Sequence, residues 1–282
     1  MEDRILYISD LDGTLLNQDK EVSKYTNAVI NAFIERGGHF SVATARTAAS
    51  ASKILSGVRI NVPAVLMNGA VIYDFQQERY IKTEIISTET SHHILDILKT
   101  HGTTGFMYSI CGEGLITYYE NLDAKALKDF HDERVRKYYK TFEQVCSFKD
   151  KLGRDSVIYF TLIDEYENLL GVQNSLKEHS DVDFILYRDI YEEKLWNLEI
   201  FNANASKYNA VMYLREQGEY SHVVGFGDNY NDIQLSKACD EFYAVSNSVN
   251  ELKSLATAVI GSNTADGVAA YLAQRESIDL HK

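Results

Sequence analysis

Short β-rich apolar runs alternate with helical patterns over the first 70 residues. The alternation then breaks off, and it resumes after residue 204. Ile5–Ile8 reads as a strand. Ser23 is placed to cap a helix in which Tyr25, Val29, Ala32 and Phe33 share one face and which Gly37-Gly38 end. HFSVAT (39–44) gives the next strand, a helical stretch follows, and VPAVLMNGA (62–70) gives a third strand. These strands are apolar on both faces. In a β-α-β-α-β order, that predicts a parallel sheet covered by helices. After residue 204 come a helix over about 206–217, strand HVVGFG (222–227), a helix at 231–238, strand FYAVS (242–246), a helix near 248–256 and strand TAVIG (257–261).

The segment between is organised differently. AVIYDF and ERYIKTEII pair across Gln76-Gln77, a helical pattern covers about 89–100, and GFMYSI and LITYYE flank a Gly-containing turn. Residues 122–156 are charged and carry no clear period. SVIYFTLI (156–163), a helix near 165–178, VDFILY (182–187) and KLWNLEIF (194–201) follow. Strands joined by turns predict an antiparallel sheet with helices on one face. The expected fold class is therefore α/β: a Rossmann-like core with a parallel sheet, interrupted by an inserted α+β domain with an antiparallel sheet. The division expected is residues 1–83, 84–197 and 198–282, with linkers near 82–84 and 198–204.

In an open parallel sheet, ligands bind beyond the carboxyl ends of the strands. The first strand ends there in Asp10-Leu11-Asp12, inside YISDLDGTLL. Two carboxylates about 4 Å apart at an effective dielectric near 20 repel by about 4 kcal/mol, so solvent, a cation or a function must offset them. The strand at 39–43 ends in Thr44-Ala45-Arg46, the strand at 222–227 ends in Asp228-Asn229-Tyr230-Asn231-Asp232, and Ser206-Lys207 opens a helix. Carboxylates, a hydroxyl and an ammonium thus converge on one edge. Asp10, Asp12 and Asp228 are the hard oxygen ligands that Mg²⁺ prefers. Thr44, Lys207 and N–H groups at helix starts suit a phosphate held against that cation. Gly13 permits the sharp turn after the acids.

The charge balance narrows the partners. With 41 acids against 28 bases the net charge is −13, and no basic cluster is present to track a phosphate backbone, which argues against nucleic acid. An anionic ligand would have to find its positive charge inside the site. Cys111, Cys146 and Cys239 fit no metal spacing. They read as small buried hydrophobes of a reducing compartment. The N-terminus lacks a signal-peptide apolar region and the chain has no 18-residue apolar run, so a soluble cytoplasmic protein without membrane contact is expected.

DLDGTLL (10–16), SVATAR (41–46), Lys207 within NASKYNAVMYL and GFGDNYNDI (225–233) together resemble the four signature segments of the haloacid dehalogenase-like (HAD) hydrolase superfamily. The insert between the second and third segments, with MNGA (67–70) and SNTADGVAAYL (262–272), resembles the Cof-type branch, subfamily IIB. The resemblance spans nearly the whole chain. It implies a Mg²⁺-dependent phosphatase of small phosphorylated metabolites such as sugar phosphates, working through an aspartyl-phosphate, as a monomer or small homo-oligomer. It further implies Asp10 as nucleophile and Asp12 as general acid–base. Mg²⁺ would sit on the Asp10 carboxylate, the Asp12 carbonyl and Asp228. Leu11, Thr44, Ala45, Lys207 and Asn231 would hold phosphate oxygens, and Asp232 would orient metal-bound waters or Lys207. Two positions depart from the common pattern: Tyr208 follows the lysine where many relatives have Gly, and Asn229 stands where Gly or Ser is common. A phosphomutase and a non-catalytic phosphometabolite-binding protein are the alternatives.

Weaker candidates complete the reading. Arg46 is placed at the site mouth, Asn68 at a strand end as a substrate contact, and Asn263 at a family position near the phosphate pocket. The aromatics Tyr187, Tyr191 and Trp196 read as core or surface of the insert, and His92-His93 as part of a solvated helix.

Overall fold

The computed structural model describes residues 4–188, 192 and 194–280. In chain order the elements are β1 (Ile5–Ser9), α1 (Lys24–Glu35), β2 (His39–Val42), α2 (Ala48–Ile54), β3 (Ala64–Leu66), β4 (Val71–Asp74) and β5 (Arg79–Thr83). Next come α3 (Thr88–Thr100), β6 (Gly105–Cys111), β7 (Gly114–Tyr119), α4 (Lys125–Tyr138), β8 (Phe142–Gln144), β9 (Ser156–Glu165), α5 (Tyr166–Leu176), β10 (Val182–Arg188) and β11 (Leu195–Asn202). The chain closes with α6 (Lys207–Gln217), β12 (His222–Gly227), α7 (Ile233–Ala238), β13 (Glu241–Val245), α8 (Asn250–Leu255), β14 (Ala258–Ile260) and α9 (Gly267–Arg275). These elements form two compact units. One runs to Lys82 and resumes at Ser206, and the other is Thr83–Ala205.

The first unit is built on a parallel sheet of order β14-β13-β12-β1-β2. Strand β1 lies in the middle, with Ile8 opposite Gly225 of β12 and Ser41 of β2. Leu6, Ile8, Val223 and Val224 are fully buried, as both faces of a covered parallel sheet require. Ser23 caps α1 by accepting from the Thr26 N–H at 3.0 Å. The buried face of α1 is Thr26, Val29, Ile30 and Phe33 rather than the expected one, and Tyr25 is exposed. The Thr26 hydroxyl donates to Asp266 at 2.9 Å, so burying it leaves no polar atom unpaired. Phe33 meets the edge of the Tyr7 ring at 5.1 Å. Strands β3, β4 and β5 form a small separate sheet in which β3 and β4 run antiparallel.

The second unit is a sheet of order β10-β11-β9-β6-β7-β8. All its pairs are antiparallel except β7 with β8. One face packs on α3 and α5 through Ile94, Leu98, Phe160, Leu162, Leu169, Val172, Leu198 and Ile200. Residues 198–202, expected as part of a linker, continue β11. Residues 122–156 contain α4, β8 and a short 3₁₀ turn. His92 and His93 lie on the exposed side of α3. Trp196 packs against the helix-side core and Tyr187 donates to Glu199, while Tyr191 lies outside the described residues. Cys111 and Cys146 are exposed and Cys239 is half-buried, against the expectation of three buried thiols. No helix among the described residues is long and apolar enough to cross a membrane.

Candidate active site

The strand order places the carboxyl ends of β12, β1 and β2 side by side, and the polar segments following them share that edge. Directly after β1, the Asp10 N–H donates to the Phe226 carbonyl of β12 at 2.9 Å. This bond carries the pairing one residue past the strand and fixes the backbone of Asp10. The chain then turns tightly over Leu11–Leu15, with Gly13 at φ +81°. A Cβ at residue 13 would lie 2.4 Å from Asp228 Oδ2, so glycine is required both for the left-handed backbone and for the carboxylate that fills the space.

Lys207 opens α6 and is buried to 2% exposure. Its Nζ donates to Asp10 Oδ1 at 2.6 Å and to Asp232 Oδ1 at 2.7 Å. The second oxygen of Asp232 accepts from the N–H groups of Asp228 and Asn229 at 2.9 and 3.1 Å. Asp232 therefore has both oxygens engaged, and it sits fully buried as the brace of the site. Asp228 Oδ1 accepts from the Thr14 hydroxyl at 2.8 Å, which ties the end of β12 to the turn after β1.

The electrostatics of this cluster are unbalanced. Carboxylate oxygens of Asp10, Asp228 and Asp232 lie within 4.8 Å of one another, and a single ammonium faces them. Burial pushes the Asp10 carboxyl well above the usual carboxylate range, with the Lys207 ammonium pulling against it and Asp232 adding to the rise. Burial, with repulsion from Asp232, lifts Asp228 to about 6. Burial works against the charge of Lys207, but Asp10 and Asp232 overcome it and hold the ammonium protonated. Three carboxylates against one ammonium leave an excess of negative charge of the kind a divalent cation neutralises. Among the described residues, Asp10 Oδ2 and Asp228 Oδ2 accept no hydrogen bond. The donor set thus fits a hard divalent cation. Asp10, Asp228 and Asp232 are the carboxylates close enough to share such an ion, and Asp232 already accepts three hydrogen bonds.

The Asp12 side chain turns away from that cluster. It is exposed, and the Arg46 guanidinium grips it with Nε and Nη2 each at 2.6 Å. Arg46 also donates to the Ser50 hydroxyl at 2.9 Å. Arg46 therefore acts on Asp12 directly. Thr44 is buried, its N–H donating to the Val65 carbonyl and its hydroxyl accepting from the Arg46 N–H at 3.3 Å. Ala45 is exposed beside it. Leu11 contributes backbone only, its side chain being fully buried. Asn231 stands half-buried in the turn before α7. Asn229 caps that turn through its side-chain oxygen, which accepts from the Tyr230 N–H at 2.8 Å. At position 208, Tyr is accommodated because it points outward. Close approach is supplied from the opposite side, where Gly69 packs against Ser206.

Asn263 braces the loop after β1: its Nδ2 donates to the Leu16 carbonyl at 2.8 Å. Its own N–H donates to Asn247 Oδ1 at 3.0 Å, and Asn247 Nδ2 donates to the Gly13 carbonyl at 2.7 Å. Sequence alone gives Asn247 and Thr14 no role: Thr14 lies within DLDGTLL, whereas Asn247 carries no local signal.

This geometry agrees with what the chain is similar to. The model of the haloacid dehalogenase-like hydrolase family matches residues 7–272. A protein of Haemophilus influenzae is 30% identical over 96% of this chain and 97% of its own. Pyridoxal phosphate phosphatase YbhA of Escherichia coli is 22% identical over 93% of this chain and 95% of its own. Among solved structures, a Thermotoga maritima protein superposes with a TM-score of 0.78 at 23% identity, over 99% of this chain and 98% of that one. A HAD subclass IIB sugar phosphatase superposes with a TM-score of 0.71 at 16% identity, over 97% of this chain and 99% of that one. The chain belongs to the haloacid dehalogenase-like hydrolase family, as an enzyme whose named relatives include phosphomonoester phosphatases.

Proposed function

We propose that the chain is a Mg²⁺-dependent phosphatase of small phosphorylated metabolites, acting through a phosphoryl group carried on Asp10. The observation that carries this reading is the Asp10 carboxylate, held at the end of β1 with one oxygen on Lys207 Nζ and the other without a hydrogen bond among the described residues. A nucleophile needs this arrangement: a fixed backbone, one oxygen turned toward the incoming phosphorus, and a counter-charge that favours its ionised form.

In the first step an Asp10 oxygen forms a bond to phosphorus while the ester P–O bond breaks. The departing alkoxide takes a proton from Asp12. In the second step water attacks phosphorus, Asp12 takes its proton, and the Asp10–phosphorus bond breaks to release phosphate. A cation on Asp10, Asp228 and the Asp12 carbonyl would supply positive charge against the phosphoryl oxygens. Lys207, Thr44, the Ala45 N–H and Asn231 hold those oxygens on the remaining sides, with the Leu11 backbone beneath. Asp12 must leave the Arg46 fork to reach the leaving oxygen, so Arg46 sets the resting position of the acid. The names of several relatives support the substrate class: pyridoxal phosphate for the E. coli protein and a phosphoribitylamino-uracil for YitU of Bacillus subtilis. Both are phosphate monoesters of small alcohols.

The test is phosphate release from a panel of sugar phosphates, pyridoxal phosphate, flavin mononucleotide and p-nitrophenyl phosphate, with and without Mg²⁺. Mg²⁺-dependent turnover that Asp10→Asn abolishes supports the reading. Turnover at the unsubstituted rate in that variant contradicts it.

A further inference from the structure

We infer that Asn247, which lies outside the four signature segments, is a positioning residue for the cation: through the Gly13 carbonyl it fixes the turn whose Asp12 carbonyl would ligate the ion. The inference rests on the cation site of the phosphatase reading and gives that site a residue beyond its ligands. Asp12 and Gly13 are the central residues of the turn after β1, at φ −73°, ψ 118° and φ 81°, ψ −6°. These are type II values. In the commoner type I turn, ψ of the first central residue and φ of the second both differ, and the peptide between them is turned over. That peptide carries the Asp12 carbonyl. The direction of a proposed ligand oxygen therefore depends on which turn the segment keeps. Glycine permits the type II turn but does not hold it, since glycine takes φ of either sign.

The hold comes from distant segments. Asn247 Nδ2 donates to the Gly13 carbonyl at 2.7 Å, and its Oδ1 accepts from the Asn263 N–H at 3.0 Å. Asn263 Nδ2 donates to the Leu16 carbonyl at 2.8 Å, just past the same turn. Strand β12 separates β13 from β1, so Asn247, two residues past β13, reaches across the end of the strand that bears Asp228. Its loop holds that strand end as well. The Val249 N–H donates to the Asp228 carbonyl at 2.9 Å, and the Ser248 hydroxyl donates to the Gly227 carbonyl at 3.1 Å. The Asp228 carboxylate in turn fills the space beside Gly13. Residues 247–249 thus tie together the two backbones, at Gly13 and at Asp228, whose spacing sets the proposed ligands. Asn68, placed at a strand end from sequence, is buried against the Thr44 segment, whose carbonyl accepts its N–H at 3.1 Å; bracing of the turn after β1 falls to Asn247 and Asn263. Asn247 is exposed, and among the described residues its side-chain amide bonds backbone alone. It acts through the turn.

The experiment measures Mg²⁺ binding to the full chain without ester, as the rise in Tm across a Mg²⁺ titration, beside turnover of p-nitrophenyl phosphate. Residues that hold metal ligands in place are worth about 10–100-fold in affinity, so the Mg²⁺ Kd should rise by about tenfold or more in Asn247→Ala. Asn247→Asp keeps the acceptor for Asn263 and loses the donor to Gly13. Its added carboxylate would by itself draw the cation in, so a rise in Kd there reports the lost donor. Turnover lost at limiting Mg²⁺ should return as Mg²⁺ is raised, with the ester's KM at saturating Mg²⁺ unchanged. A merely structural role would lower Tm without Mg²⁺ and leave the Kd where it was. An unchanged Kd in either variant overturns the inference, as does a loss of turnover that saturating Mg²⁺ leaves in place. So does an unsubstituted chain whose Tm does not respond to Mg²⁺. Stabilisation by Mg²⁺ with no phosphate release from p-nitrophenyl phosphate, pyridoxal phosphate or glucose 6-phosphate overturns the phosphatase reading alone, and the Kd comparison still decides the role of Asn247.

Discussion

Replacing Lys207 by methionine removes the one cation that faces Asp10 and Asp232 while keeping most of the side-chain volume. The ammonium makes contacts of 2.6 and 2.7 Å to the two carboxylates, and all three side chains are at most 6% exposed. Removing one partner of a buried ion pair leaves an uncompensated buried charge and costs about 3–5 kcal/mol. For a protein of this size each kcal/mol lowers Tm by about 2–4 °C, so the melting temperature should fall by about 6–20 °C. The pH dependence has a definite sign. The folded-state pKa of Asp10 is raised, and losing the ammonium raises it further. A raised carboxyl contributes stability below its unfolded value, and loses it as pH rises through the folded one. The variant should therefore regain stability relative to the parent as pH falls from neutrality toward 4. Adding Asp232→Asn should restore part of the loss at pH 7. The assay is thermal and urea denaturation across that pH range. A Lys207→Met variant within about 1 kcal/mol of the parent at pH 7 would refute the reasoning, because a buried pair cannot be broken so cheaply.

Other outcomes follow from the same geometry. Asp12→Asn should slow hydrolysis by about 10²–10⁴-fold, with a smaller loss for nitrophenolate than for an alkyl leaving group. Equal losses would argue against proton transfer by Asp12. EDTA should abolish turnover and Mg²⁺ restore it, whereas Ca²⁺, which takes more ligands at longer distances, should not. Full activity in Ca²⁺ would contradict the proposed ligand set. On the far side of the sheet Arg275 grips Glu241 with two nitrogens at 2.6 and 2.7 Å and holds its carboxyl down at about 2. A lowered carboxyl contributes stability that is present above its unfolded value and lost as pH falls through the folded one. Glu241→Gln should therefore cost about 2 kcal/mol at pH 7, after discounting for partial exposure. That cost should vanish between about pH 4.5 and 2, and a gap that persists at low pH would count against the pair.

How much of this was legible depended on whether each feature is local. The parallel sheet was legible because Leu6, Ile8, Val223 and Val224 are buried on both faces and so form unbroken apolar runs. The start of α1 was legible because Ser23 caps it by a bond to the third residue on. Its buried face was misread at Tyr25, since the partner that lets Thr26 be buried is Asp266, 240 residues away. Helix α4 was invisible because only Leu127 is buried among its 14 residues. With no apolar stripe, its exposed face is stitched by Lys125–Asp129 and Lys128–Asp132 pairs. The site residues were legible as strand ends carrying carboxylates. Their division of labour was not. That Asp232 holds Lys207, that Arg46 holds Asp12, and that Asn263 and Asn247 brace the turn at Gly13 all depend on contacts between separate segments.

The claim on which the rest depends is that phosphorus becomes bonded to Asp10. Protein quenched in acid during turnover of p-nitrophenyl phosphate, then digested and analysed by mass spectrometry, tests it directly. A phosphoryl adduct should appear on the peptide containing Asp10, accumulate in Asp12→Asn where hydrolysis of the adduct is slowed, and be absent from Asp10→Asn. An adduct on any other residue, or rapid turnover with inversion at phosphorus and no adduct, would contradict the account.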